Sequence, residues 1–90
     1  MSVTVCIPTV FRACTGGQKK VTVAAGTLSE VVRDLDSRYG GLAERLLDGG
    51  ALRRYVNVYV GDDDVRLLGG LDAVVTDGAI VTILPAVAGG

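Results

Sequence analysis

Ninety residues carrying nine basic and ten acidic side chains, for a net charge of −1, with 49% apolar and 21% charged residues, describe one small globular domain rather than a disordered chain. A chain this short buries only about 60–65% of the surface its unfolded form exposes, which leaves little room for a large ligand cavity or a buried multi-residue active site. Its bases form no long run, no apolar stretch nears the roughly 18 residues of a membrane span, and histidine is absent, so polyanion binding, membrane insertion and histidine-based catalysis or metal binding are all disfavoured.

The start MSVTVCIPTVFR lacks the basic-then-apolar order of a signal peptide, and a cytoplasmic monomer is expected. Val3, Val5 and Ile7 alternate with Ser2, Thr4 and Cys6, which predicts a half-buried strand running to about Val10. Pro8 places that strand at an edge or at the end of regular pairing. The turn cluster Thr15-Gly16-Gly17-Gln18 and the run Lys19 to Ala24 then complete a hairpin. Cys6 and Cys14 lack CxxC spacing and read as free, structural or incidental thiols, the alternative being a thiol that accepts or relays sulfur.

Thr27-Leu28-Ser29-Glu30 has the form of a capping box, and Leu28, Val31, Val32, Leu35 and Tyr39 follow at helical spacing. This is the main helix, ended by Gly40-Gly41 and followed by a short helical stretch from Leu42 to Asp48 that stops at Gly49-Gly50. Leu52 to Val60 is the most strand-prone segment, with Val56, Val58 and Val60 on one face and Tyr55, Asn57 and Tyr59 on the other. Gly61-Asp62-Asp63-Asp64 reads as a solvated hairpin tip: three consecutive carboxylates in a short turn cannot converge on one ion. Val65 to Leu67 is expected to pair briefly, Leu71 to Val74 to form one helical turn, and Ala79 to Leu84 to be the last strand, closed by Pro85 after the turn Thr76-Asp77-Gly78. The fold expected from this order is α+β, a mixed four- to five-stranded sheet with one main helix on one face.

Residues 1–85 are expected to form that body, and 86–90, Ala86-Val87-Ala88-Gly89-Gly90, a flexible tail reaching at most about 17 Å. Five adjacent-glycine pairs occur; four stand where an element must stop or turn, and the fifth carries the free carboxylate. A carboxylate is a poor electrophile until it has a better leaving group, as in an acyl-adenylate. A terminus without Cβ atoms suits the narrow slot of an enzyme that makes one. Beside this tail, Val81 and Ile83 point inward while Ile80, Thr82 and Leu84 alternate with them; Ile80 is assigned to the core, and Leu84 is left open between core and docking surface. Leu84, Pro85, Ala86, Val87 and Ala88, with Tyr59, are the candidate partner-binding residues, and Tyr55 and Asn57 extend that surface.

The order of elements, the segment Val56-Asn57-Val58-Tyr59-Val60, the run from Thr76 to Pro85 and the ending Ala86-Val87-Ala88-Gly89-Gly90 resemble the ubiquitin-like sulfur carriers of the ThiS/MoaD family, which have the β-grasp fold. More narrowly, Ile7-Pro8-Thr9, the Thr15-Gly16-Gly17-Gln18-Lys19 turn and the last ten residues resemble the CysO branch, the carriers for cysteine biosynthesis; Pro85-Ala86 stands where the wider family more often has a double proline. The resemblance implies a co-substrate rather than an enzyme, with no stably bound cofactor and no metal. A MoeB-like adenylyltransferase would use ATP and magnesium to adenylate Gly90, with Gly89 in the slot, and sulfur would displace AMP to leave a thiocarboxylate. The acceptor would be a pyridoxal-phosphate enzyme that makes cysteine from O-phosphoserine, or another synthase such as one for thiosugars, and a zinc metallopeptidase would release cysteine. Alternatives are a protein modifier joined to lysines through Gly90, a carrier for thiamin or molybdopterin synthesis, and a plain interaction module with an incidental tail.

Overall fold

The computed structural model describes residues 1–85. Strand β1 spans Ser2–Cys6, a 3₁₀ segment spans Thr9–Thr15, and β2 spans Lys20–Ala24. The pair β3 (Gly26–Thr27) leads into helix α1 (Leu28–Tyr39), the short α2 (Leu42–Leu46) and the two-residue strands β4 (Leu47–Asp48) and β5 (Ala51–Leu52). Strand β6 (Val56–Val60), β7 (Asp63–Asp64), 3₁₀ turns at Val65–Leu67 and Gly70–Asp72, β8 (Val74–Val75) and β9 (Ile80–Pro85) complete the described chain.

Five strands form one mixed sheet in the order β2-β1-β9-β6-β7, with β1 and β9 parallel and the other pairs antiparallel. Alternation sends Val3, Val5, Val21, Val23, Val56, Val58, Val81 and Ile83 to one face, where they bury against Leu28, Val31, Val32 and Leu35 of α1. This is the β-grasp arrangement expected. Among the described residues, no helix is long and apolar enough to cross a membrane.

The capping box forms as its spacing predicts. Thr27 Oγ1 accepts from the Glu30 backbone N–H, and Glu30 Oε1 accepts from the Thr27 backbone N–H at 3.0 Å. At the other end of α1, Asp36 Oδ1 accepts from the backbone N–H groups of Gly41 and Ala43 and so ties α2 to the end of the main helix. Asp34 and Arg38, an ion pair at 3.3 Å, reach from α1 to the outer edge of β2, where Arg38 donates to the Thr22 carbonyl and Asp34 accepts from the Ala24 N–H.

Four expectations need correction. β1 stops at Cys6 and lies inside the sheet, so Pro8 marks the end of pairing and the start of the Thr9–Thr15 turn rather than an edge. The helical stretch ends at Leu46: Gly49 and Gly50, both with positive φ (62° and 83°), make a two-residue turn that pairs β4 with β5. The strand expected from Leu52 begins at Val56, because a turn closed by the Val56 N–H and the Arg53 carbonyl intervenes. Val65–Leu67 is a 3₁₀ turn capped by Asp64, whose Oδ1 accepts from the Arg66 N–H at 2.9 Å.

The Glu30 carboxyl is held below the ordinary carboxylate range, first by the Thr27 backbone N–H, then by the Thr27 hydroxyl, with a smaller contribution from Arg33. A depressed pKa stabilises the fold above the unfolded value, and the contribution is lost as pH falls through the folded one. Glu30→Gln is therefore expected to melt below the parent at neutral pH, with the gap closing in acid; thermal melts across the acid range check this.

Candidate functional site

The expected reactive end follows β9, so the site begins with how that strand finishes. In the β6–β9 ladder Gly61 N–H donates to the Ile80 carbonyl at 2.9 Å, and antiparallel pairing alternates bonded and non-bonded pairs. Asn57 and Leu84 are consequently the last bonded pair, while Val56 and Pro85 face each other where no N–H is needed. A proline is tolerated there at the end of a strand paired on both sides. On one flank β1 has already left at Pro8, and on the other β6 turns away at Arg53–Val56.

That turn is held by Arg66. Its Nη1 donates to Asn57 Oδ1 at 2.9 Å, and its Nη2 donates to the carbonyls of Arg53 at 2.9 Å and Val56 at 2.7 Å. The Val56 N–H and C=O both point away from β9, which is why one is free for the turn and the other for the guanidinium. Sequence reading missed Arg66 because its acceptors lie far along the chain and no local spacing announces them.

The face of the sheet away from α1 is open. Across it runs the row Lys20, Cys6, Thr82, Tyr59, Asp64, one residue from each strand. Ile80 sits beside Thr4 and Leu84 beside Asn57, and both are exposed, at 53% and 49%. The assignment of Ile80 to the core is therefore overturned: Val81 and Ile83 occupy the inward positions, and a period of two turns Ile80 out. Leu84, left open by the sequence, lies on the surface.

Of the candidate docking residues, Leu84 and Tyr59 lie on this open face, Tyr59 half-buried, while Pro85, half-buried opposite Val56, has the parity of Val81 and Ile83 and belongs to the helix side; Tyr55 is exposed at the turn. Ala86, Val87, Ala88, Gly89 and Gly90 lie outside the described residues. Cys6 and Cys14 are free and half-buried. Asp62 and Asp63 are exposed, and among the described residues no group of three or more acidic or thiol side chains could hold a metal ion.

A family model, that of the ThiS family, matches residues 5–90. The chain belongs to the ThiS family. It is 55% identical over a 93-residue alignment to sulfur carrier protein CysO of Mycobacterium tuberculosis, covering 100% of both chains. Its fold matches a chain in the crystal structure of the Amycolatopsis orientalis BexX/CysO complex with a TM-score of 0.94 and 52% identity, over 98% of this chain and 99% of that one. Small archaeal modifier protein 3 of Haloferax volcanii is 39% identical over 64 residues, covering 71% of this chain and 70% of that protein. The likeness is to ubiquitin-like carriers and modifiers rather than to catalysts.

Losing the three Arg66 contacts should loosen the turn beside the β9 exit. Arg66→Ala is expected to lower stability by about 1–3 kcal/mol, and Arg66→Lys to recover only part of it, since an ammonium cannot span the guanidinium's acceptors; denaturant melts of the two variants test this.

Proposed function

We propose that the chain is a sulfur carrier whose terminal Gly90 is adenylated and then converted to a thiocarboxylate that delivers sulfur, with cysteine biosynthesis as its pathway. The observation that carries the reading is the full-length likeness to sulfur carrier protein CysO, in a sequence where Gly89-Gly90 follow, after three small apolar residues, a strand that finishes at Pro85.

The chemistry needs little from the folded body. A MoeB-like activating enzyme joins the Gly90 carboxylate to AMP from ATP and magnesium and releases pyrophosphate. Sulfide attacks the acyl carbon and AMP departs, leaving the thiocarboxylate. A thioacid is ionised at neutral pH, so its sulfur is nucleophilic without a neighbouring base, and a chain without histidine loses nothing. The acceptor is a pyridoxal-phosphate synthase that makes cysteine from O-phosphoserine, or a further synthase using the same carrier, and a zinc metallopeptidase frees the cysteine. A relative crystallised with BexX supports a carrier that presents this fold to a partner protein. The open face with Leu84 and Tyr59 serves that docking here, with Pro85, Ala86, Val87 and Ala88 leading Gly89 and Gly90 into the partner's slot. All of this takes place in the cytoplasm.

The likeness to small archaeal modifier protein 3 favours one second reading, in which the activated Gly90 is joined to a lysine of another protein. Both readings share the adenylate and part at the acceptor. Intact-mass measurement of carrier incubated with its activating enzyme, ATP and a sulfur source decides between them. Sulfur-for-oxygen exchange at Gly90 supports the carrier; lysine conjugates without exchange overturn it.

Deleting Gly90 is expected to abolish sulfur acquisition while leaving the melting temperature unchanged. Gly89→Val should fold normally yet fail to form the adenylate, read by pyrophosphate release; ready adenylation of that variant would remove the role given to a terminus without side chains.

A further inference from the structure

The chain's bases are scattered in sequence, but the fold gathers them. The end of the sheet from which β9 emerges is also where β1 enters the Thr9–Thr15 segment, where β2 begins, where α1 gives way to α2 and where β6 starts. Arg12, Lys19, Lys20, Arg45, Arg53, Arg54 and Arg66 all lie at this end, seven of the nine basic residues. Glu30, Asp62 and Asp77 lie toward the opposite end, while Asp36, Glu44 and Asp48 share this one. A net charge of −1 thus conceals an excess of basic side chains at this end.

The cluster is not neutralised internally. Among the described residues the single ion pair is Arg38 with Asp34, on α1. Arg12 donates to the Ile7 carbonyl, Arg53 to the Glu44 carbonyl at 3.0 and 2.8 Å, and Arg66 to the carbonyls of Arg53 and Val56. Neutral acceptors fix these guanidinium groups in place and leave their charge uncancelled. Holding the arginines in advance lowers the ordering entropy that a partner would otherwise have to offset.

Within this cluster a cleft of about 600 Å³ opens between the Thr9–Thr15 segment, α2 and the Arg53–Val56 turn. Phe11, Cys14 and Tyr55 supply an apolar and aromatic lining, and Arg45, Arg53 and Glu44 the charged rim. Arg45 makes no hydrogen bond among the described residues, and Arg53 Nη1 has only a 3.5 Å contact with the Tyr55 hydroxyl. Tyr55 directly precedes Val56, the partner of Pro85, so the cleft opens beside the exit of β9.

We propose that this cleft is a docking point for a partner protein's acidic side chain, carried next to an apolar one. Arg45 and Arg53 receive the carboxylate, and Phe11 and Tyr55 receive the neighbouring apolar group. The cluster also steers acidic protein surfaces toward the end of the molecule that carries the terminus. The proposal rests on the carrier reading only for the partner's identity, since the surface is defined by the residues themselves.

The test is a titration of the full-length isotope-labelled protein, followed by NMR, with a short peptide bearing glutamates next to a leucine, and with its glutamine counterpart. Saturable shifts at Phe11, Cys14, Arg45 and Tyr55 are expected with the first peptide and not the second. Arg45→Glu should weaken the binding by about tenfold or more, and Arg33→Glu, on α1, should leave it unchanged. Equal response to both peptides, or shifts spread over all basic residues, overturns the proposal. A thymidine oligonucleotide that binds the cleft more tightly than the acidic peptide also overturns it, reassigning the surface to nucleic acid. Because no sulfur chemistry enters, normal sulfur uptake without peptide discrimination removes only this proposal, and peptide binding without sulfur uptake removes only the carrier reading.

Discussion

The structure depends on β9 being held from both sides. Val81 and Ile83 are buried against the helix, while the backbone is paired with β1 over residues 80–82 and with β6 over residues 81–85. Such a strand anchors the last part of the chain as firmly as a small domain can. The end of pairing is equally built: Pro8 turns β1 aside, the Arg53–Val56 turn removes β6, and Pro85 stands at a position where the ladder asks for no donor.

The distribution of chemistry follows from the same economy of size. A body of this length has no room for a shielded catalytic constellation, and the chain contains no histidine to place in one. In the proposed reaction the reactive group is instead created on the backbone terminus, and the body supplies recognition: the open face with Ile80, Leu84 and Tyr59, and the arginine-rich end beside it.

What was legible in the sequence was local. Thr27 and Glu30 announced the start of α1 because a capping box closes within one turn, and the valines of β6 and β9 announced their inward faces because alternation needs only neighbours. What was not legible depended on distant partners. Val65-Arg66-Leu67 reads as a strand by composition, yet Asp64 capping and the reach of Arg66 to Asn57, Arg53 and Val56 wind it into a turn. The β4–β5 hairpin hid behind helix-compatible residues, since two-residue strands have no period to detect. Ile80 was drawn to the core by its hydrophobicity, although its own register with Val81 forbade it. The ending that carries the proposed chemistry, Ala86-Val87-Ala88-Gly89-Gly90, was legible as a residue pattern and through the family resemblance it carries.

The Asp34–Arg38 pair on α1 has a bearing on how such a domain stays single. A valine-rich strand at the margin of a sheet offers unpaired carbonyls and amides to any extended peptide that drifts past, the usual seed of sheet-to-sheet aggregation. By occupying the Thr22 carbonyl and the Ala24 amide, the helix closes that margin with its own side chains. A foreign strand therefore meets side chains where it would need that carbonyl and that amide.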